Sequence, residues 1–223
     1  MTAPPRVVAI DGPSASGKST TAAAVARELG AIHVDSGALY RALTSVALEM
    51  GGREPAGVLD AAEARGLALR LVGDEVIPYL DGRPAEDRIR GSAVTALVSE
   101  VSAWPAIRAW VTARLREAAG PRTLVMDGRD IGTDVFPDAP VKVFLVATPT
   151  ARARRRLLQR GDRPASRDID AEAAVLAERD RRDSARAVAP LRRADDAVEL
   201  DTTTLTFEEQ VGEIVRLARS RLP

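Results

Sequence analysis

Residues 12–19 read GPSASGKS, which sets two glycines, a lysine and a hydroxyl at the spacing G-x-x-x-x-G-K-[ST]. That spacing suits a phosphate cradle: backbone N–H groups curl round phosphate oxygens, the following helix turns its N-terminus toward them, and glycine permits close approach. Gly12, Pro13, Ser14, Ala15, Ser16, Gly17, Lys18, Ser19 and Thr20 are therefore candidate ligands of a nucleoside triphosphate. In this arrangement Lys18 reaches the β- and γ-phosphates and the Ser19 hydroxyl takes a place on Mg²⁺. A plain Gly-rich strand-to-helix turn is the competing reading. Lysine is rare in the chain, only Lys18 and Lys142 among 32 basic residues, so its presence in this motif weighs toward chemistry.

Further polar residues stand beyond other apolar runs. Asp127 closes TLVMD, where an acidic residue in a P-loop protein holds Mg²⁺ directly or through water; the alternative is a residue that merely starts a turn before Gly128. Just after it, Arg129 and Asp130 lie past a strand's C-terminal end, where ligands sit in open α/β sheets. Ser36, Tyr40 and Arg41 fall within DSGALYR (35–41), either a pocket for a second phosphate or a solvated helix face. On a helix, Arg179, Arg182, Asp183 and Arg186 recur at i, i+3, i+4 and i+7 and form one charged face. That face reads as anion-binding in the company of the other phosphate elements, and as surface ion pairs without them. No Asn/Thr-Lys-x-Asp segment is present, which argues against a GTPase. His33 reads as a structural strand-end histidine, and Trp104 and Trp110, about a break at Pro105, as packing residues. The cluster Arg152, Arg154, Arg155, Arg156 and Arg160 admits a second reading as a nucleic-acid patch.

These groups require a scaffold. Val7–Asp11 (VVAID) is a short apolar run of the kind buried on both faces of a sheet, followed by a helix over about 18–29 that Gly30 stops. Strands are expected over 31–34, 123–127, 141–146 and 197–200, with a helix over about 38–50. Alternation of this kind favours a parallel sheet covered on both faces. Two stretches interrupt it. Between about 61 and 99, LALRLVGDEVIPYLDGRP reads as an antiparallel hairpin about Gly73-Asp74, inserted into the core. Residues 152–167 are arginine-rich, with Gly161, Asp162 and Pro164 marking a loop between two helices. The last helix opens on a Thr206-x-x-Glu209 capping box and aligns Val211, Ile214, Val215 and Ala218 on one face.

Composition narrows the chemistry. The chain has 223 residues, 29% charged, with 32 basic and 32 acidic side chains and a formal charge of zero. That balance argues against a basic partner-seeking arm, an acidic tail and a disordered polyelectrolyte. With no cysteine, disulfides, thiolate metal sites and thiol catalysis are excluded, and one histidine leaves too few imidazoles for a histidine-based metal centre. No apolar run approaches a membrane span of roughly 18 residues, and MTAPPR lacks an apolar signal core, so the expected setting is the cytoplasm.

Taken together, GPSASGKS, DSGALYR, DGRDIGTDVFPDAP, ERDRRDSARAVAPL and DTTTLT resemble the bacterial cytidylate kinases, within the nucleoside monophosphate kinases. The matches run from residue 10 to about 206. Ala15 and Ser16 stand where the family pattern has a Gly/Ala pair. The resemblance implies an α/β fold: a doubly wound parallel sheet with a P-loop, all within one domain over 1–223. It further implies a monophosphate-binding region over 36–103 with an antiparallel β insert at about 61–99, and an Arg-rich lid over 152–168. The implied activity is transfer of the ATP γ-phosphoryl group to CMP or dCMP with Mg²⁺, by a chain that leans toward a monomer and needs neither nucleic acid nor membrane. By position, Arg41, Arg129 and Arg186 would hold the acceptor phosphate, Arg179 and Asp183 the ribose, and Ser99, Arg108 and Asp130 the cytosine. Arg155 and Arg182 would face ATP from the lid. Lys18, Arg129, Arg182 and Arg186 would act on the transferring group. Nearer alternatives are P-loop kinases for adenylate, uridylate or a non-nucleotide acceptor.

Overall fold

The computed structural model describes residues 6–52, 54–162 and 165–222, so the opening MTAPP and the loop mark Pro164 lie outside the described residues. Its centre is a parallel set of strands: β1 (Val7–Asp11), β2 (Ile32–Asp35), β6 (Leu124–Asp127), β7 (Val141–Val146) and β8 (Val198–Asp201), in the order β2-β6-β1-β7-β8. Strand alternation divides the core between two faces. Val7 and Ala9 of β1 join Val34, Leu124 and Met126 on one face, while Val8 and Ile10 join Val125, Val143 and Leu145 on the other. The first face is covered by α2 (Ser36–Met50), α3 (Pro55–Ala64) and α6 (Pro105–Glu117), the second by α1 (Lys18–Leu29) and α9 (Phe207–Arg221). Helices on both faces of a mainly parallel sheet make the doubly wound architecture expected from the sequence.

The hairpin is present as β3 (Ala68–Val72) and β4 (Glu75–Leu80), antiparallel about Gly73-Asp74, with the short β5 (Arg83–Pro84) on the far side of β4. It is also fused to the core. β4 runs parallel to β2, with His33 opposite Glu75 and Val34 opposite Val76, so the insert widens the main sheet to the order β3-β4-β2. From there α4 (Glu86–Ile89) and α5 (Ser92–Val101) return the chain to α6. Trp104 caps α6 and packs with Trp110 against the core. α2 starts two residues earlier than its sequence pattern suggests, because Asp35 serves as its N-cap and Ser36-Gly37 already form its first turn.

Arg152–Arg167 forms the end of α7 (Pro149–Gln159) and the start of α8 (Ser166–Ser184). The capping box closes as expected: Thr206 Oγ1 accepts from Glu209 N–H at 3.2 Å, and the Glu209 carboxylate accepts from Thr206 N–H at 2.8 Å. The second lysine, Lys142, is buried and grips Asp196 at 2.8 Å and the Pro137 carbonyl, a structural pairing. No helix among the described residues is long and apolar enough to cross a membrane.

Candidate active site

The strand ends β1, β2 and β6 open onto one cleft beyond their C-terminal edges, with α8 and the end of α5 closing the opposite side. Its floor is the loop 12–17. Gly12 has φ +148° and a Cβ there would collide with the Leu145 carbonyl, so no side chain fits. Ala15, at the departure from the family pattern, is held at φ +58°, a left-handed conformation that costs a non-glycine residue about 1 kcal/mol. Lys18 is buried and turned inward, its Nζ donating to Pro13 O at 2.6 Å and Ser16 Oγ at 3.3 Å. Burial, with Arg129 nearby, holds its ammonium well below the usual lysine range. A cation so placed is stabilised by an incoming polyanion.

Ser14 is the meeting point of three elements. Its N–H donates to Asp180 Oδ1 at 2.8 Å, its carbonyl accepts from Arg152 at 2.9 Å, and its Oγ accepts from Arg129 Nη2 at 3.0 Å. Asp180 also pairs with Arg152, so α7 and α8 together clamp the loop.

Ser19 Oγ donates to Asp127 Oδ2 at 2.6 Å, and Asp35 lines the same corner. Burial and the Asp127 charge push the Asp35 carboxyl up to about 6. Hard oxygen donors gathered under repulsion fit Mg²⁺ by chemistry; Ser19 and Asp127 are the groups that could hold it, with Asp35 in the same corner. Behind them, the buried His33 places Nε2 2.9 Å from Asp127 Oδ1.

On the acceptor side, the buried Asp183 holds two arginines: Arg129 Nε at 3.1 Å and Arg186. Asp130 pairs with Arg108, both almost fully buried, and the Arg108 guanidinium lies 5.4 Å from the Tyr40 ring centroid. Burial pushes the Asp130 carboxyl up despite that partner. Arg41 donates to Thr95 Oγ1 at 3.1 Å, and Ser36 Oγ to the Asp127 carbonyl at 2.7 Å. Asp11, at the end of β1, accepts from Ile131 N–H at 2.9 Å and Gly132 N–H at 2.7 Å, fixing a π-helical turn (Ile131–Val135) next to Asp130. Burial raises its carboxyl to about 7.

The cleft is lined by eight basic side chains against four carboxylates, in a chain whose formal charge is zero. Around it, Tyr40 OH and the Nε atoms of Arg108, Arg179 and Arg186 are buried without a hydrogen-bond partner. Burial and Arg129 bring the Arg179 guanidinium down to about 10. Buried polar groups are normally satisfied, so unpartnered polar atoms on residues that line one cation-rich cleft fit a site for an anionic, hydrogen-bonding ligand.

Three expected site residues are not brought to this cleft. Arg155 is committed to Thr202, donating to its Oγ1 at 2.9 Å and to its carbonyl. Arg182 is largely exposed and pairs with Glu178 at 2.8 Å. Ser99 sits two residues before the end of α5 and lines the adjoining space between insert and lid helices, while Ser102 reaches the cleft and accepts from Arg186 at 3.1 Å. Residues outside the expected site set take part: Arg90, Arg156 and Asp35 line the cleft, and Asp11 and Asp180 brace its loops. Four of the five arginines of the 152–160 cluster turn to internal partners or the cleft: Arg152 to Ser14, Arg155 to Thr202, Arg160 to Glu172, Arg156 into the cleft. That dispersal removes the basis for a nucleic-acid patch.

A P-loop facing a guanidinium-lined acceptor cleft on a doubly wound sheet defines a P-loop phosphotransferase. The family model for cytidylate kinase matches residues 8–220. A cytidylate kinase of Geobacillus thermodenitrificans is 43% identical over 225 residues, covering 96% of this chain and 97% of the relative. One of Mycobacterium avium is 43% identical over 219 residues, with 96% of each chain covered. Among solved structures, an uncharacterized protein from Eubacterium ventriosum superposes with TM-score 0.52 at 12% identity, over 96% of this chain and 99% of that one, a likeness of fold alone. The chain belongs to the cytidylate kinase family.

Proposed function

We propose that this chain transfers the γ-phosphoryl group of ATP to CMP or dCMP, giving ADP and CDP or dCDP, with Mg²⁺ as the metal. The observation that carries the reading is the excess of cations lining one cleft of a neutral chain. Two polyanions repel, and these groups offset that repulsion.

In this reading loop residues 12–20 cradle the ATP phosphates, and Lys18 leaves the Pro13 carbonyl for the β/γ oxygens. Mg²⁺, when bound at Ser19 and Asp127, neutralises charge on the phosphates. Arg41, Arg129 and Arg186 orient the acceptor phosphate, whose oxygen is already anionic, so no general base is needed. That oxygen attacks Pγ, the bond from Pγ to the ADP oxygen breaks, and the charge spread over the transferring group is met by Lys18 and the arginines. Arginine's planar fork matches phosphate better than a lysine point charge does. Arg179 and Asp183 face the sugar. Asp130, held by Arg108, accepts from the cytosine amino group and would repel the uracil carbonyl in the same place. From the lid helix Arg156 is the residue we assign to contact the phosphates, since it lines the cleft whereas Arg155 and Arg182 do not. The family resemblance leans toward a monomer, and cytoplasmic ATP suits the reaction.

A coupled assay for ADP release across CMP, dCMP, UMP, AMP and shikimate tests the assignment. Turnover with CMP and dCMP well above the others is expected. Absence of any CDP from ATP and CMP rejects it.

A further inference from the structure

The chain's one histidine is left idle by that scheme, yet its environment is specific. His33 is buried on β2, and Nε2 lies 2.9 Å from Asp127 Oδ1. A carboxylate only accepts, so Nε2 carries the proton that bridges them. The other Asp127 oxygen accepts from Ser19 Oγ at 2.6 Å, and Asp127 is itself 2% exposed. The strand also anchors the residue's backbone: the His33 main-chain N–H donates to Asp74 O at 2.8 Å, and Nδ1 lies 3.9 Å from a Glu75 oxygen at the start of the insert strand β4. Asp127 therefore has one oxygen pinned by the sheet, which leaves the other directed at Ser19 and the cleft.

We propose that His33 is a positioning residue for the divalent cation: its Nε2–H locks the Asp127 carboxylate in the orientation that presents Oδ2, beside Ser19 Oγ, to the metal. The inference rests on the reading of Ser19 and Asp127 as the Mg²⁺ holders. Carboxylates on metals need such outer hydrogen bonds, and losing one typically costs 10–100-fold in metal affinity. Without His33, Oδ1 is a buried acceptor with no donor and the carboxylate is free to rotate. The rest of the phosphate cradle, residues 12–18, does not touch His33, so nucleotide binding without metal is untouched.

The test compares His33→Gln, His33→Asn and His33→Leu with the native protein. Gln places an N–H donor at nearly the reach of Nε2, whereas Asn falls short and Leu offers none. ADP affinity is measured calorimetrically with Mg²⁺ and with a chelator, and thermal midpoints are recorded alongside. All four proteins should bind metal-free ADP alike. The Mg²⁺-dependent gain should fall roughly 10–100-fold in the Asn and Leu variants and return to within about threefold in the Gln variant. A Leu or Asn variant with the full gain overturns the inference, as does a Gln variant no better than Asn. If Leu does not fold, the Gln–Asn contrast decides alone. A native protein with no Mg²⁺ gain sinks the metal reading itself, whereas a native gain kept by every variant sinks only the role of His33.

Discussion

Replacing Asp130 by Asn reverses the hydrogen-bonding sense at the carboxylate assigned to the base while keeping its shape. In the native protein this carboxylate is 3% exposed and its buried neighbour is Arg108, also 3% exposed. A hydrogen bond from an amino group to a charged acceptor contributes about 1.5–3 kcal/mol, so kcat/KM for CMP should fall roughly 10–150-fold. The asparagine NH₂ can donate to the uracil carbonyl, so UMP should stay level or improve, and the CMP/UMP ratio should fall by at least the same factor. Stability falls separately, because Arg108 loses its counter-charge: breaking a buried pair costs about 3–5 kcal/mol. In a chain of this size that is a midpoint decrease of roughly 6–20 °C, smaller if the asparagine oxygen still accepts from Arg108. Measuring both substrates on one preparation below 20 °C cancels any unfolded fraction. An unchanged CMP/UMP ratio, whatever the absolute loss, refutes Asp130 as the base reader.

Lys18→Met should lower kcat by about 10²–10³-fold while the thermal midpoint holds or rises, since burial already disfavours the ammonium there; normal turnover rejects the cradle. Arg156→Ala should lower kcat at least tenfold with little change in midpoint, and Arg155→Ala should chiefly destabilise by freeing Thr202; the opposite pattern returns the ATP-facing role to Arg155. Asp11 has a folded pKa of about 7 against 3.8, so the stability it contributes is complete below 3.8 and lost as pH rises through 7, by up to ~4 kcal/mol. Asp11→Asn should flatten the decline in urea-unfolding free energy between pH 5 and 8, and equal slopes in the two proteins would count against that account.

The parts legible in the sequence were those set by local patterns. β1, α1 and β7 follow from an apolar run, a glycine-flanked loop and a second apolar run, and the structure keeps these bounds. The hairpin was legible from Gly73-Asp74, but its fusion to the core was not: the pairing of β4 with β2 is a choice between distant segments that no short window encodes. The arginines of α7 show the limit most clearly. Arg155 and Arg156 are neighbours of one type, and a step of 100° about the helix sends one to Thr202 and the other to the cleft. In a helix with arginine on several faces, the sequence has no signal to tell them apart. Asp11 had a usable signal, a carboxylate ending a buried strand just before the phosphate loop. Asp180 had none, because its partner Ser14 lies 166 positions away.

The interleaving of carboxylates with cations explains how a cleft so charged stays folded without its ligands. Asp183 neutralises Arg129 and Arg186 together, and Asp180 neutralises Arg152 while taking up the Ser14 N–H. Buried cations with no partner would cost several kcal/mol each, so these carboxylates serve as resident counter-ions. An acceptor phosphate that takes the nitrogens that Arg129 and Arg186 now turn to Asp183 leaves a buried carboxylate in search of donors. A ribose or deoxyribose hydroxyl supplies one; a sulfate ion, which carries no hydrogen at neutral pH, does not. The exchange therefore favours a sugar phosphate over a bare anion of equal charge, by the arrangement of groups that also stabilises the empty protein.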